Sequence, residues 1–205
     1  MEENSYNWNQ TLTPERAERL HAVLQKRQPD LTVIFEDVND PHNISAVLRT
    51  CDSVGIYEVF IINSYPAKPR RKLGHSSSAS AKKWLLTNYF TSVEECFTEV
   101  RKRYKKIYST RLTEQSVSLY DLNLTEPCAL VFGNEHRGVS ELASSLSDGN
   151  FLIPQVGMVQ SLNISVACAV TLYEAFRQRL AAGKYEQPAF TQQQLEGLFK
   201  EWSGK

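Results

Sequence analysis

The stretch "LTVIFEDVNDPHNISAVLRTCDSVGIYEVFIIN", residues 31–63, decides the fold class. Its opening "LTVIFEDV" is a β-rich apolar run and predicts a strand from Leu31 to Val38. A loop through Asp40-Pro41 follows, then a helix from about Ile44 to Val54, which Gly55 stops. "YEVFIIN", from Tyr57 to Asn63, is the next strand. Strand, helix and strand at this spacing make a βαβ unit, whose strands lie parallel.

Working outward, Thr13-Pro14-Glu15 opens a helix with a capping residue, a first-turn proline and an early acid, and Ala17, Leu20 and Leu24 give it an apolar stripe ending near Gln28-Pro29. Ser92 to Glu95 has capping-box spacing and starts a helix ending near Tyr104. "KIYSTR" (106–111), "CALVFGN" (128–134) and "NFLIPQ" (150–155) read as further strands, with a helix near Ser140 to Leu146. A long helix then carries Leu162, Val166, Val170, Tyr173 and Phe176 close to the 3.6 period. A last amphipathic segment has Thr191 and Gln194 as a capping box and Leu195, Leu198, Phe199 and Trp202 as its stripe.

Strands alternating with helices predict an α/β fold, a mostly parallel sheet with helices on both faces, within one domain spanning 1–205. Helical extensions are expected at about 13–28 and 184–203. Such sheets bind ligands beyond the carboxyl ends of their strands. Three loops converge there: "DVNDPHN", "GNEHRG" and "PQVGMVQSLN". The chain has no G-x-G-x-x-G after the first strand and no Walker lysine motif, so neither familiar phosphate cradle is present.

At 205 residues, 41% hydrophobic and 22% charged, the composition is that of a soluble globular protein, and no apolar run approaches the ~20 residues of a membrane span. The N-terminus lacks the apolar core of a secretory signal, so a cytoplasmic location is expected. The four cysteines contain no C-x-x-C pair and read as small buried hydrophobes; the four histidines are scattered, and no metal is predicted. Formal net charge is zero, yet "PAKPRRKLGHSSSASAKKW" (66–84) carries six cations and no acid. That run is either a loop without a partner or a set of phosphate contacts. Ser161 and Asn163 either cap the long helix or line a site, Glu135 is either a site residue or a surface ion pair, and Arg49 is equally readable as an exposed helical arginine.

Three of these stretches resemble one family. "PHNISAVLRTCDSVG", "LVFGNEHRGVS" and "IPQVGMVQSLNISVA" are similar, in order, to the three motifs of the SpoU/TrmH branch of the SPOUT RNA methyltransferases. "KRQPDLTVIFEDV" and "YEAFRQR" further resemble its bacterial tRNA-acting members. The resemblance implies a deep C-terminal trefoil knot, a homodimer with composite active sites, and S-adenosylmethionine as cofactor. The implied reaction is methylation of a ribose 2′-hydroxyl in tRNA, at guanosine 18 of the D-loop, with no role for DNA. It implies Arg49, Asn43, Glu135, Ser161 and Asn163 as catalytic residues, and Thr110, Gly133, Ile153, Met158 and Leu162 around the cofactor. RNA contacts are expected from Arg27, His42, Arg70, Arg71, Lys72, Arg137, Arg177 and Arg179. The alternatives are 2′-O-methylation of another tRNA position or of ribosomal RNA and, from a different class, a non-catalytic RNA-binding dimer.

Overall fold

The β-rich runs pair into a seven-stranded sheet of order β3-β2-β1-β6-β4-β7-β5, every pairing parallel. The computed structural model describes residues 12–65 and 79–205. Along the chain come α1 (Pro14–Leu24), β1 (Leu31–Glu36), α2 (Pro41–Ser53), β2 (Glu58–Ile62), α3 (Ala79–Lys82), β3 (Leu86–Phe90), α4 (Val93–Val100) and β4 (Lys106–Ser109). They are followed by β5 (Val117–Ser118), β6 (Cys128–Phe132), α5 (Glu141–Leu146), β7 (Gly149–Leu152), α6 (Ile164–Ala181) and α7 (Gln192–Ser203).

β1, β2 and β6 are buried at every position. Their alternate side chains enter two cores: Val33, Phe35, Val59, Ile61 and Leu130 pack with residues of α2 and α6, whereas Ile34, Phe60, Ile62 and Val131 pack with α4 and α5. Helices on both faces explain why these strands read as unbroken apolar runs. The four cysteines are buried free thiols. Burial pushes Cys96 up to about 12 and Cys128 up to about 11.

Several expectations shift. The second helix starts at Pro41, because the Asp40 side chain accepts from the His42 N–H and proline suits the first helical position. Two strands are added, β3 and β5. On α6 the buried stripe is Ile164, Cys168, Leu172, Ala175 and Arg179, while Val166 and Tyr173, expected to face inward, are 46% and 53% exposed. The terminal helices meet each other: Leu20 and Leu24 of α1 pack with Leu198 and Trp202 of α7, whose predicted capping box is formed.

Arg27 and Arg179, expected among the RNA contacts, are instead interior groups. Arg179 has no exposed surface and donates to Asp30 Oδ1 (2.5 Å), Gln28 Oε1 (3.1 Å) and the carbonyls of Leu124 (2.9 Å) and Glu126 (3.0 Å). Arg27 donates to Asp52 Oδ1 (2.5 Å) and to the Ile56 carbonyl (2.8 Å). Arg179, enclosed on every side, cannot reach a phosphate. Arg179→Ala leaves several carbonyls without their donor and the part-exposed Asp30 carboxylate with Lys184 alone, so it is expected to cost about 2–4 kcal/mol of stability. Thermal unfolding should show a lower midpoint, with no change in the salt dependence of tRNA affinity. Weaker tRNA binding at an unchanged midpoint would restore the RNA-contact role.

Candidate active site

Sheet order brings the ends of β1, β6, β4 and β7 side by side. The loops that leave three of them, residues 37–40, 133–140 and 153–163, therefore share one rim, as the sequence predicts.

Across that rim runs a hydrogen-bonded chain of three side chains from three loops or helix starts. Asn163 Nδ2 donates to Asn43 Oδ1 (3.1 Å), and Asn43 Nδ2 donates to Glu135 Oε1 (3.0 Å). Asn43 is nearly buried, which fixes it between the other two. Asn163 also caps α6, its Oδ1 accepting from the Ser165 N–H (2.9 Å) and hydroxyl (2.5 Å). The two readings of Asn163 are thus both realised: one oxygen caps the helix while the amide nitrogen joins the chain. Ser161 stands outside this chain, exposed on the loop.

Arg49 also stands outside it. Six residues of helix separate Arg49 from Asn43, a rotation of about 240°, so a buried Asn43 leaves Arg49 on the outer face of α2. Ala46, Arg49 and Ser53 form that exposed face, and Ser53 Oγ lies 3.4 Å from the hydroxyl of exposed Tyr173 on α6.

The 133–140 loop is pinned by residues the sequence reading did not single out. Asp37 adopts a left-handed backbone (φ 52), which aspartate tolerates better than most residues. Its carbonyl accepts from Asn134 Nδ2 (2.8 Å), its N–H donates to the Ile62 carbonyl (3.0 Å), and its carboxylate accepts from the Ser64 N–H (2.7 Å). Glu36, 3% exposed, accepts from the Ser140 N–H (2.8 Å). Asn134 Oδ1 in turn accepts from the His136 and Arg137 N–H groups at 2.9 and 3.2 Å. The signal was present in "FEDV": two acids closing a buried strand, beside the turn chemistry of "DVNDP", residues 37–41.

Of the expected cofactor contacts, Thr110 ties β4 to β6, both its N–H and its hydroxyl reaching the Val131 carbonyl at 3.0 Å. Gly133 closes the next loop so tightly that a Cβ there would sit 2.1 Å from the Gly138 carbonyl carbon. Ile153 packs on the core and Leu162 is half-buried, whereas Met158 is 99% exposed. Backbone groups at strand ends, flanked by apolar side chains, suit the adenosine and methionine portions of a small cofactor.

Among the expected RNA contacts, His42 and Arg137 are exposed on this rim, and Arg137 stacks over Tyr65 at 4.6 Å while donating to its hydroxyl (3.1 Å). Arg177 forks onto Glu174 at 2.7 and 2.8 Å, which holds the Glu174 carboxyl below its ordinary value. Arg70, Arg71 and Lys72 lie outside the described residues. Among the described residues no cluster of His, Cys, Asp or Glu is arranged for a metal ion, and no helix is long and apolar enough to cross a membrane.

Comparison with known proteins adds a second line of evidence. The model of the SpoU rRNA Methylase family matches residues 30–173. A tRNA (guanosine(18)-2′-O)-methyltransferase of Thermus thermophilus is 42% identical over 193 residues, covering 94% of this chain and 98% of the relative. The crystal structure of the Aquifex aeolicus TrmH/SpoU tRNA modifying enzyme superposes with a TM-score of 0.84 at 35% identity, covering 92% of this chain and 95% of that one. The SpoU methyltransferase AviRb of Streptomyces viridochromogenes, solved with its cofactor AdoMet, matches with a TM-score of 0.66 at 26% identity, over 77% of this chain and 59% of its own.

Proposed function

The chain belongs to the SpoU rRNA Methylase family, and on that premise we propose that it transfers a methyl group from S-adenosylmethionine to the ribose 2′-hydroxyl of guanosine 18 in tRNA. The observation that carries the reading is the Asn163–Asn43–Glu135 chain, which joins all three motif loops at the rim where a parallel sheet places its ligand.

When bound, the cofactor supplies an activated methyl group, so the protein's work is orientation and removal of the hydroxyl proton. Thr110, Gly133, Ile153 and Leu162 hold it, with Met158 closing from the exposed loop. Asn43, fixed between Glu135 and Asn163, keeps the loops and the ribose in register, and Ser161 meets the substrate from the same loop. Arg49 stays protonated and is no simple base. It would align an RNA phosphate beside the 2′-hydroxyl, so that the hydroxyl proton would pass to that phosphate while the oxygen takes the methyl group, whose bond to the sulfonium sulfur breaks to leave a neutral thioether.

The position of Arg49 supports a composite site. Its outer face of α2 adjoins the exposed Val166 and Tyr173 of α6, a surface that a second copy would cover, bringing Arg49 to the partner's strand ends. The reading thus includes a homodimer of single methyltransferase domains with a knotted C-terminal half, and phosphate contacts from His42, Arg137, Arg177 and the 66–78 segment.

The test is transfer of labelled methyl from S-adenosylmethionine to a panel of tRNA and ribosomal-RNA transcripts, with the product mapped to its nucleotide. Product at guanosine 18 that disappears when that residue is 2′-deoxyguanosine is expected. Methylation of a base nitrogen, or of ribosomal RNA alone, would overturn the reading.

A further inference from the structure

One cavity lies away from the catalytic rim. It measures about 390 Å³ and lies between α1, α7 and the segment before β3, lined by Arg16, Arg19, Arg27, Asp52, Trp84 and Trp202 among others. Arg27 is anchored to Asp52 and Ile56, where α2 ends and β2 begins. The cavity therefore sits where the strands start, about 20 Å from the rim where they end, given ~3.3 Å per residue over β1.

Its chemistry is unusual for a chain of zero net charge. Arg16, the adjacent pair Arg19 and Leu20, then Val23 and Arg27 recur at three- to four-residue intervals, so one face of α1 and its continuation lines the cavity. Three guanidinium groups meet a single carboxylate, and Arg27 already occupies that carboxylate. Arg27 is 1% exposed, and its Nε has no hydrogen-bond acceptor among the described residues, a buried donor left for something else to satisfy. Beside it, the rings of Trp84 and Trp202 lie 5.2 Å apart at 56°, with the Arg27 guanidinium 5.0 Å over Trp202. Trp84 is only half-buried, so its indole remains open to an aromatic ligand.

We propose that this groove binds a phosphorylated nucleoside: Arg16 and Arg19 grip the phosphate, and the base rests against Trp84 over the fixed floor of Arg27 and Trp202. Arginine forks match phosphate geometry, and indole faces accept any base by stacking. The ligand is either a free nucleotide or a nucleotide of a bound tRNA, and the site is separate from methyl transfer.

The test uses the full chain saturated with S-adenosylhomocysteine, so that the strand-end site is filled. Guanosine 5′-monophosphate, inorganic phosphate and a tRNA transcript are titrated by calorimetry, alongside tryptophan emission. Guanosine monophosphate should bind and perturb the emission, and more tightly than phosphate. Arg16→Ala/Arg19→Ala changes two exposed side chains and should weaken it by roughly tenfold or more, the scale of losing charge-assisted hydrogen bonds. An equal loss for tRNA assigns the nucleotide to the tRNA, and unchanged tRNA affinity assigns it to a free nucleotide. The proposal is overturned if the double variant alters neither affinity, if phosphate binds as tightly as the nucleotide, or if the nucleotide fails to bind while Arg16→Lys/Arg19→Lys restores tRNA affinity in full. None of these outcomes depends on whether guanosine 18 is methylated.

Discussion

Arg49→Ala is expected to lower kcat for methyl transfer by about 10³-fold, the scale of losing a group that manages a transferred proton, while cofactor affinity stays intact. The reason is placement. Arg49 projects from the outer face of a helix capped by Asp40 and started by Pro41, far around from Asn43. Arg49→Lys should fail nearly as badly, because an ammonium keeps the charge but loses the planar fork that holds a phosphate and a hydroxyl together. Stopped turnover with normal S-adenosylmethionine binding by calorimetry is the expected pair of results. The proposed composite site has a sharper consequence. On that proposal, mixed dimers of Arg49→Ala with Glu135→Ala would contain one intact site, formed by Arg49 of one subunit and the loops of the other. Random mixing should recover roughly a quarter of wild-type activity from two inactive proteins, since half of the dimers are hybrids with one working site of two. No recovery would place Arg49 in its own subunit's site.

The same placement shows what the sequence could and could not convey. The βαβ unit was legible because β1 and β2 are buried on both faces and Gly55, with φ +84, ends α2, whereas the Asp40 cap and Pro41 start read as loop. The three motif loops were legible as candidates because alternation implies parallel strands, whose carboxyl ends lie along one edge, whereas the strand order was not legible. β3 was missed because it is an edge strand: Leu86 and Tyr89 are 46% and 50% exposed, and its register with β2 comes from the partner strand more than from its own pattern. β5 is two residues long, below any periodicity. On α6 apolar residues occur on nearly every side, so spacing could not choose between the stripe that meets the core and the stripe left for a partner; the core stripe even includes Thr171 and Arg179. Arginine raised a related ambiguity. The residue type announces an anion or a carbonyl nearby, but whether that acceptor is RNA or the protein itself depends on contacts such as Arg179 with Asp30, 149 positions apart in sequence. Asn163 needed two readings at once, cap and network, which only the positions of Ser165 and Asn43 reveal.

Gly133→Ala is the substitution expected to harm the cofactor half of the site most. The added Cβ would lie 2.1 Å from the Gly138 carbonyl carbon and 2.2 Å from both its oxygen and the Val139 nitrogen. All three are backbone atoms, so no side chain can rotate out of the way; the loop itself must open. That loop is tied at Asn134 to Asp37, at Ser140 to Glu36 and at Glu135 to Asn43, so opening it breaks contacts with β1 and α2 together. Overpacking of this kind costs about 1–3 kcal/mol or more, and here it falls on the segment proposed to hold the cofactor. Affinity for S-adenosylmethionine should drop on the order of 100-fold, the equivalent of about 2.7 kcal/mol, with turnover lost in parallel. Two neighbouring glycines supply the controls. Gly138→Ala meets nothing within 4 Å but must hold φ +68, so its cost is confined to backbone strain of about 1–2 kcal/mol. Gly157→Ala also meets nothing within 4 Å, and its backbone is not left-handed, so cofactor affinity in the free enzyme should hardly change. Calorimetric titration of the three variants, with thermal midpoints measured alongside, should rank them Gly133, Gly138, Gly157 in loss of affinity. Equal losses at Gly133 and Gly157 would mean that the cofactor is held by the exposed 153–163 loop rather than by the pinned turn after β6.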